Sequence, residues 1–187
     1  MNKKAILLGV LLVIGLIIVL LLAHKEVKEI DENELYSRQF GNTILKFEKY
    51  DYALGQNIIV GVEKSIDKGK NYTKVTEEPI TVSSEAKFKF LNESLGFVIS
   101  TGYILRSNKF KGLKVTQDGG KTFVDAKFNY ENNLIDFVTI EGFPYYKNDE
   151  LLLKCSIYDI HYEEYTYEDV ELIFKSQDDG LTWNYQK

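Results

Sequence analysis

Ser65-Ile66-Asp67-Lys68-Gly69-Lys70-Asn71-Tyr72, Thr116-Gln117-Asp118-Gly119-Gly120-Lys121-Thr122-Phe123 and Ser176-Gln177-Asp178-Asp179-Gly180-Leu181-Thr182-Trp183 spell one pattern three times. Each has a hydroxyl residue, an aspartate two positions on, a glycine two further, and an aromatic three beyond that. The aspartates recur after 51 residues (67 to 118) and 60 residues (118 to 178). Repetition at this spacing marks an array of small structural units, each about one four-stranded propeller blade long.

Turn chemistry explains the residue types. An aspartate can accept hydrogen bonds from backbone N–H groups just beyond it and so close an Asx-type turn. Glycine two residues later takes positive φ without a Cβ penalty. The first hydroxyl can bond across the turn, and the closing aromatic can re-enter a strand and anchor it in a core. The surrounding sequence agrees with strands. Val170, Leu172 and Phe174 alternate with polar residues, as do Phe88 and Phe90, and Val124-Asp125-Ala126-Lys127-Phe128 follows the same period of two. Turn signals fall at Leu54-Gly55-Gln56-Asn57, Asn92-Glu93-Ser94, Asp118-Gly119-Gly120, Glu131-Asn132-Asn133 and Asp178-Asp179-Gly180. Alternation punctuated in this way predicts antiparallel β-structure, and no segment after residue 35 sustains a helical period.

These residues resemble the Asp-box, or BNR repeat, of sialidase-like β-propellers, which reads Ser/Thr-x-Asp-x-Gly-x-Thr-Trp/Phe. The copies ending at Phe123 and Trp183 match every defined position. The first carries Asn71 and Tyr72 where that pattern has Thr and Trp or Phe. Phe90-Leu91-Asn92-Glu93-Ser94-Leu95-Gly96-Phe97-Val98, followed by Gly102-Tyr103-Ile104-Leu105, is similar to the start of a blade in extracytoplasmic BNR propellers. The resemblance covers residues 42–187. It implies an all-β fold of about three four-stranded antiparallel propeller-type modules. Ser65, Asp67, Gly69, Tyr72, Thr116, Asp118, Gly120, Phe123, Ser176, Asp178, Gly180 and Trp183 would be their structural corners. Propellers close with about 4–8 blades, so three units leave open a small or open propeller, a curved stack, or half a ring completed by a second copy. Because Trp183 lies close to the end of the chain, a segment near residues 44–50 is a candidate outer strand for the last unit.

Before the repeats, Lys3 and Lys4 precede an unbroken apolar run over residues 5–23. That is about the 20 residues a helix needs to cross a bilayer, and longer than the 7–15 of a signal peptide. Residues 1–24 are therefore expected to be a membrane anchor, with a removed signal as the other reading, and 25–41 a stalk. Lysines without acids on the amino-terminal flank favour a cytoplasmic N-terminus and an extracytoplasmic body. Removing Lys3 and Lys4 from 23 basic residues leaves 21 against 28 acidic ones, a formal balance of −7. An acidic body argues against nucleic acid as a partner.

Catalytic signals are sparse. Sialidases of similar repeat hold the substrate carboxylate with three arginines, a use suited to the planar guanidinium, and attack with a tyrosine. This chain has only Arg38 and Arg106. The acids Glu163, Glu164, Glu168 and Asp169 read as a solvated hairpin connection, His161 has no second histidine in the body, and Cys155 sits in an apolar run as a small core residue. No catalytic, cofactor or metal residues are assigned. The sequons at Asn71 and Asn92 are given no role. Tyr145, Tyr146, Tyr158, Tyr162, Tyr165 and Tyr167 form the candidate ligand surface, because exposed tyrosines present flat apolar faces with a polar tip. Strand packing in a Tyr-rich β-protein is the plainer reading of the same residues. The expectation is a membrane-anchored, non-catalytic binding or assembly module for a wall glycan or surface protein. The alternative is a degenerate sialidase-like glycoside hydrolase.

Overall fold

A computed structural model describes residues 32–100, 103–105, 112–130, 137–158 and 169–186. The expected anchor and the first part of the expected stalk, residues 25–31, lie outside these residues. Among the described residues no helix is long and apolar enough to cross a membrane. Everything regular in them is β-strand.

The first sheet comprises β1 (Glu34–Phe40), β2 (Thr43–Ala53), β3 (Asn57–Ser65), β4 (Thr73–Lys74) and β5 (Ile80–Ser83). β1 to β4 run in sequence order, and β5 pairs with the opening half of β3. The sheet begins inside the stretch expected as stalk, since β1 pairs antiparallel with β2. The next five strands are β6 (Lys87–Phe90), β7 (Gly96–Ile99), β8 (Tyr103–Leu105), β9 (Leu113–Thr116) and β10 (Val124–Asp125). Four of them form the second sheet in the order β10-β9-β7-β6, whereas β8 joins the third. The third sheet adds β11 (Lys127–Asn129), β12 (Phe137–Ile140), β13 (Tyr145–Lys147), β14 (Glu150–Tyr158), β15 (Asp169–Ser176) and β16 (Thr182–Gln186). Its order is β11-β16-β15-β14-β12-β8, with β13 also on β14.

An antiparallel four-strand path recurs in each sheet, and each eight-residue corner joins its third strand to its fourth. The sheets themselves hold five, four and seven strands rather than four apiece. They do not close into a ring among the described residues. Residues 44–50, expected as an outer strand for the last unit, belong to β2 and are hydrogen-bonded on both sides within the first sheet. The outer strand of the third sheet is instead β11, which lies parallel to β16. This also breaks the alternation read through Val124–Phe128. The chain leaves the second sheet at buried Ala126 and crosses to the third.

Two apolar cores explain the stacking. Leu45, Phe47, Ile58, Val60 and Val62 of the first sheet pack on Phe88, Phe90 and Val98 of the second. Phe97, Ile99, Leu113 and Val115 of the second pack on Leu151, Leu153, Cys155, Leu172, Phe174 and Trp183 of the third. The middle sheet is thus covered on both faces, and all four residues of β7 are buried. Alternation sends Phe97 and Ile99 one way and Val98 the other.

The outer faces differ. On the first sheet Lys46 is ion-paired to Glu48 at 2.8 Å and Glu63 at 3.4 Å. On the third, Lys154 pairs with Glu171 and Lys175 with Glu150. Polar outer faces on the end units are what an array needs where stacking stops.

Candidate functional site

The three corners share one hydrogen-bond plan. In the second, the Thr116 hydroxyl donates to Asp118 Oδ1 at 2.7 Å and accepts from the Gly120 N–H at 2.8 Å. Asp118 Oδ1 also accepts from the Lys121 and Thr122 N–H groups, both at 3.0 Å, and Oδ2 accepts from the Thr122 hydroxyl at 2.7 Å. In the first corner Ser65 and Asp67 repeat this, with the Asn71 amide at 2.7 Å replacing the threonine hydroxyl. In the third, Ser176 donates to Asp178, which accepts from the Thr182 N–H at 2.8 Å, and the Gly180 N–H reaches Ser176 at 2.8 Å. Asn71 departs from the repeat's spelling, yet a side-chain N–H there does the work of the hydroxyl.

The backbone shows why glycine is needed. Gly69, Gly120 and Gly180 have φ of 87°, 92° and 89°, and the residue before each is also left-handed. At Gly120 a Cβ would meet the Val62 side chain at 2.5 Å, in the sheet before its own. Gly180 stands in the same relation to Phe97 of the second sheet. Each later corner therefore leans on the preceding sheet.

Electrostatics follow from the same contacts. The Asn71 backbone N–H, its side-chain amide and the Ser65 hydroxyl hold the Asp67 carboxyl well below the usual carboxylate range. Partial burial pushes Asp118 and Asp178 up. Donors from Thr122 and Thr116, and from Thr182 and Ser176, outweigh it and leave both below their ordinary value. These carboxylates stay ionised and are occupied by their own turns. They hold the corners rather than offering free acids.

Neighbouring corners are also tied together. The Gln117 side-chain amide donates to the Asp178 carbonyl at 2.7 Å and the Asp179 carbonyl at 3.3 Å. Thr76 Oγ1 donates to the Gly120 carbonyl at 2.7 Å while accepting from the Val62 N–H at 2.6 Å. Lys121 pairs with Glu77 at 3.0 Å.

The closing aromatics do not all behave alike. Phe123 packs 5.9 Å from Phe47, in the core between the first and second sheets. Trp183 is fully buried and lies 6.4 Å from both Phe97 and Phe128. Tyr72, expected to anchor a core, is only half-buried on the outer face of the first sheet, with Lys46 Nζ 4.7 Å from its ring centre. Among the described residues no sheet precedes the first, and Tyr72 enters no apolar seam there.

That outer face is a cluster the sequence reading missed. Burial lowers the Lys46 pKa, but the Glu48 and Glu63 carboxylates outweigh it and hold the ammonium charged. A lysine kept protonated has no lone pair for attack or base chemistry. Burial, then Glu63 and Glu48, push the Tyr50 phenol up. Its ring occupies the place that a side chain on Gly61 would take. The signal was Lys46-x-Glu48-x-Tyr50 alternating with Leu45 and Phe47, which places three polar groups on one face of β2. Their partner Glu63 comes from another strand, which spacing does not reveal.

The tyrosines divide. Tyr145 and Tyr146 are exposed on β13 opposite Leu152 and Leu151, whereas Tyr158 lies opposite Asp169 at the far end of β14. At about 3.4 Å per residue, some 20 Å of strand separates the two ends. Tyr162, Tyr165 and Tyr167 lie outside the described residues, as do Arg106, His161, Glu163, Glu164 and Glu168. Arg38 donates to the Phe90 carbonyl at 2.8 Å and stands over the Phe40 ring. Cys155 is fully buried, and burial pushes its thiol up to about 12. Among the described residues no group of three or more metal-ligating side chains gathers.

No protein-family model matches this chain, and no curated protein matches it in sequence. The Asp-box resemblance therefore rests on the sequence motif alone.

Proposed function

We propose that this chain is a non-catalytic binding or assembly module, tethered to a membrane through residues 5–23 and facing the extracytoplasmic space. Its stacked, propeller-type sheets serve as a rigid scaffold that presents edges and loops to a wall glycan or a surface protein. One observation carries this reading. The acids and hydroxyls that recur in the sequence are spent on closing corners, and Gln117 and Thr76 tie those corners to their neighbours. The repeat thus builds a support, and recognition falls to what it displays.

The hydrolase reading needs an arginine clamp. Arg38 is occupied by the Phe90 carbonyl, which disfavours that use. Full-length protein in vesicles, offered purified wall glycan and surface-protein fractions, should bind one of them saturably and release no sugar. Sustained turnover of sialosides or chromogenic glycosides, or no retention of any fraction, would sink the proposal.

A further inference from the structure

The two junctions between successive sheets follow one plan. The segment leaving the first corner stays on its own sheet at Val75, whose N–H meets the Val62 carbonyl at 2.9 Å. It then crosses, and the Glu77 N–H reaches the Lys121 carbonyl in the second corner at 3.0 Å. The segment leaving the second corner does the same. Its Ala126 N–H meets the Leu113 carbonyl at 2.9 Å, and its Lys127 N–H reaches the Leu181 carbonyl in the third corner at 2.8 Å. Lys121 and Leu181 are both the sixth residue of their corner, so one acceptor serves both junctions. Gln117, second in its corner, adds a side-chain clasp on the third and fourth carbonyls of the next, those of Asp178 and Asp179.

At the two ends of the array this plan is half made. Gln177, second in the third corner, is exposed, and its side chain makes no hydrogen bond among the described residues. In the first corner the matching acceptors are the carbonyls of Asp67, Lys68 and Lys70, and no backbone N–H of another sheet reaches them among the described residues. The faces beside these ends also match in kind. Tyr72 lies half-buried on the outer face of the first sheet, next to Ile44 and Gly69. On the outer face of the third, partly buried Leu152 and Ile173 sit among the Lys154–Glu171 and Lys175–Glu150 ion pairs. Ion pairs suit each face to water when it is undocked, while Leu152 and Ile173 offer a tyrosine ring apolar support.

We propose that the third sheet of one copy docks on the first sheet of a second copy, corner to corner, and so continues the array between chains. Gln177 then donates to the Asp67 and Lys68 carbonyls as Gln117 does to those of Asp178 and Asp179. Tyr72 gains the seam that Phe123 and Trp183 have within one chain. Such a contact joins two different patches, so it either closes into a ring or runs on as a filament. Two copies related by a two-fold axis make it twice and bring together twice three corner-bearing sheets, within the range of about 4–8 at which propellers close. This goes beyond the ligand-binding reading and does not depend on it.

The test uses the full chain in detergent micelles. Sedimentation velocity reads the mass of the natural chain, and cross-linking reads which surfaces meet. One tagged copy carries Q177C and a differently tagged copy carries K70C, and the mixture is treated with a short bis-maleimide. Positions 177 and 70 are exposed and Cys155 is buried, so linking is selective, and the second junction of the ring keeps its own Gln177. L54C is the reference, 95% exposed at the end of β3 remote from the first corner. The expected results are a dimer whose mass does not grow with concentration, a link from position 177 to position 70, and none from 177 to 54. A monomer at every concentration, a dimer without the link from 177 to 70, or equal linking at 54 overturns the docking. Species that grow past the dimer overturn closure into a two-copy ring.

Discussion

Gly180 of the third corner lies against Phe97 of the second sheet, so closely that a Cβ there would come within 2.6 Å of the ring. The corner that turns one sheet is thereby fitted to the core of another. Replacement by alanine adds a left-handed backbone penalty to an overpacked contact. G180A should cost about 2–4 kcal/mol. Gly41 is also left-handed, at φ 60°, but has nothing within 4 Å of a Cβ, so G41A should cost only about 1 kcal/mol. Urea midpoints of the two variants check the difference, and equal losses would contradict the fit.

Asp118 accepts three hydrogen bonds on one oxygen and one on the other. D118A leaves two backbone N–H groups of an exposed turn to water. By analogy with the loss of a helix cap, it should lower stability by about 1–2 kcal/mol. Thermal unfolding monitored through Trp183 fluorescence provides the readout. An unchanged midpoint would remove the corner's structural role.

The corner aspartates also set a pH dependence. All three are held below their ordinary value when folded. Their contribution is fully present above the unfolded value of about 3.9. It is lost as pH falls below that value and through the depressed folded values. The unfolding midpoint should therefore fall steeply below about pH 4, and less steeply in the D118N variant. A midpoint independent of pH in that range would contradict the assignment.

Gln117 bridges the second corner to the third, whereas Gln177, at the matching position of the third corner, is exposed and its side chain makes no hydrogen bond among the described residues. Q117A should cost about 1 kcal/mol and Q177A should stay within about 0.5 kcal/mol of the parent. Paired denaturant titrations decide it.

Cys155 is fully exposed only on unfolding. Native protein should resist thiol reagents at pH 8, because burial pushes the thiol up to about 12 and the thiolate is the reacting form. In denaturant it should react promptly. Fast labelling of native protein would show the third sheet opening at β14.

Much of the fold was legible because its information is local. Ser176, Asp178 and Gly180 act within five residues of one another, so spacing and turn chemistry give the corner without knowledge of the rest. Strand alternation at Phe88 and Phe90, or Leu172 and Phe174, likewise predicts which faces become apolar. Less could be read where the partner comes from another sheet. Tyr72 and Trp183 occupy the same place in the repeat, yet among the described residues only Trp183 of the two has a preceding sheet to enter. The outer ion cluster escaped notice because Lys46 and Glu63 meet only through strand register.

By itself the sequence determined the β-class, the three corners and the aspartate as the acceptor that closes each, because a turn closes with groups a few bonds apart. Tertiary structure alone decided the number of strands in each sheet, the crossing of β11 to the third sheet, and the placement of residues 44–50 inside the first. Those outcomes depend on which apolar faces find each other across long stretches of chain, and such pairings leave no mark in local spacing.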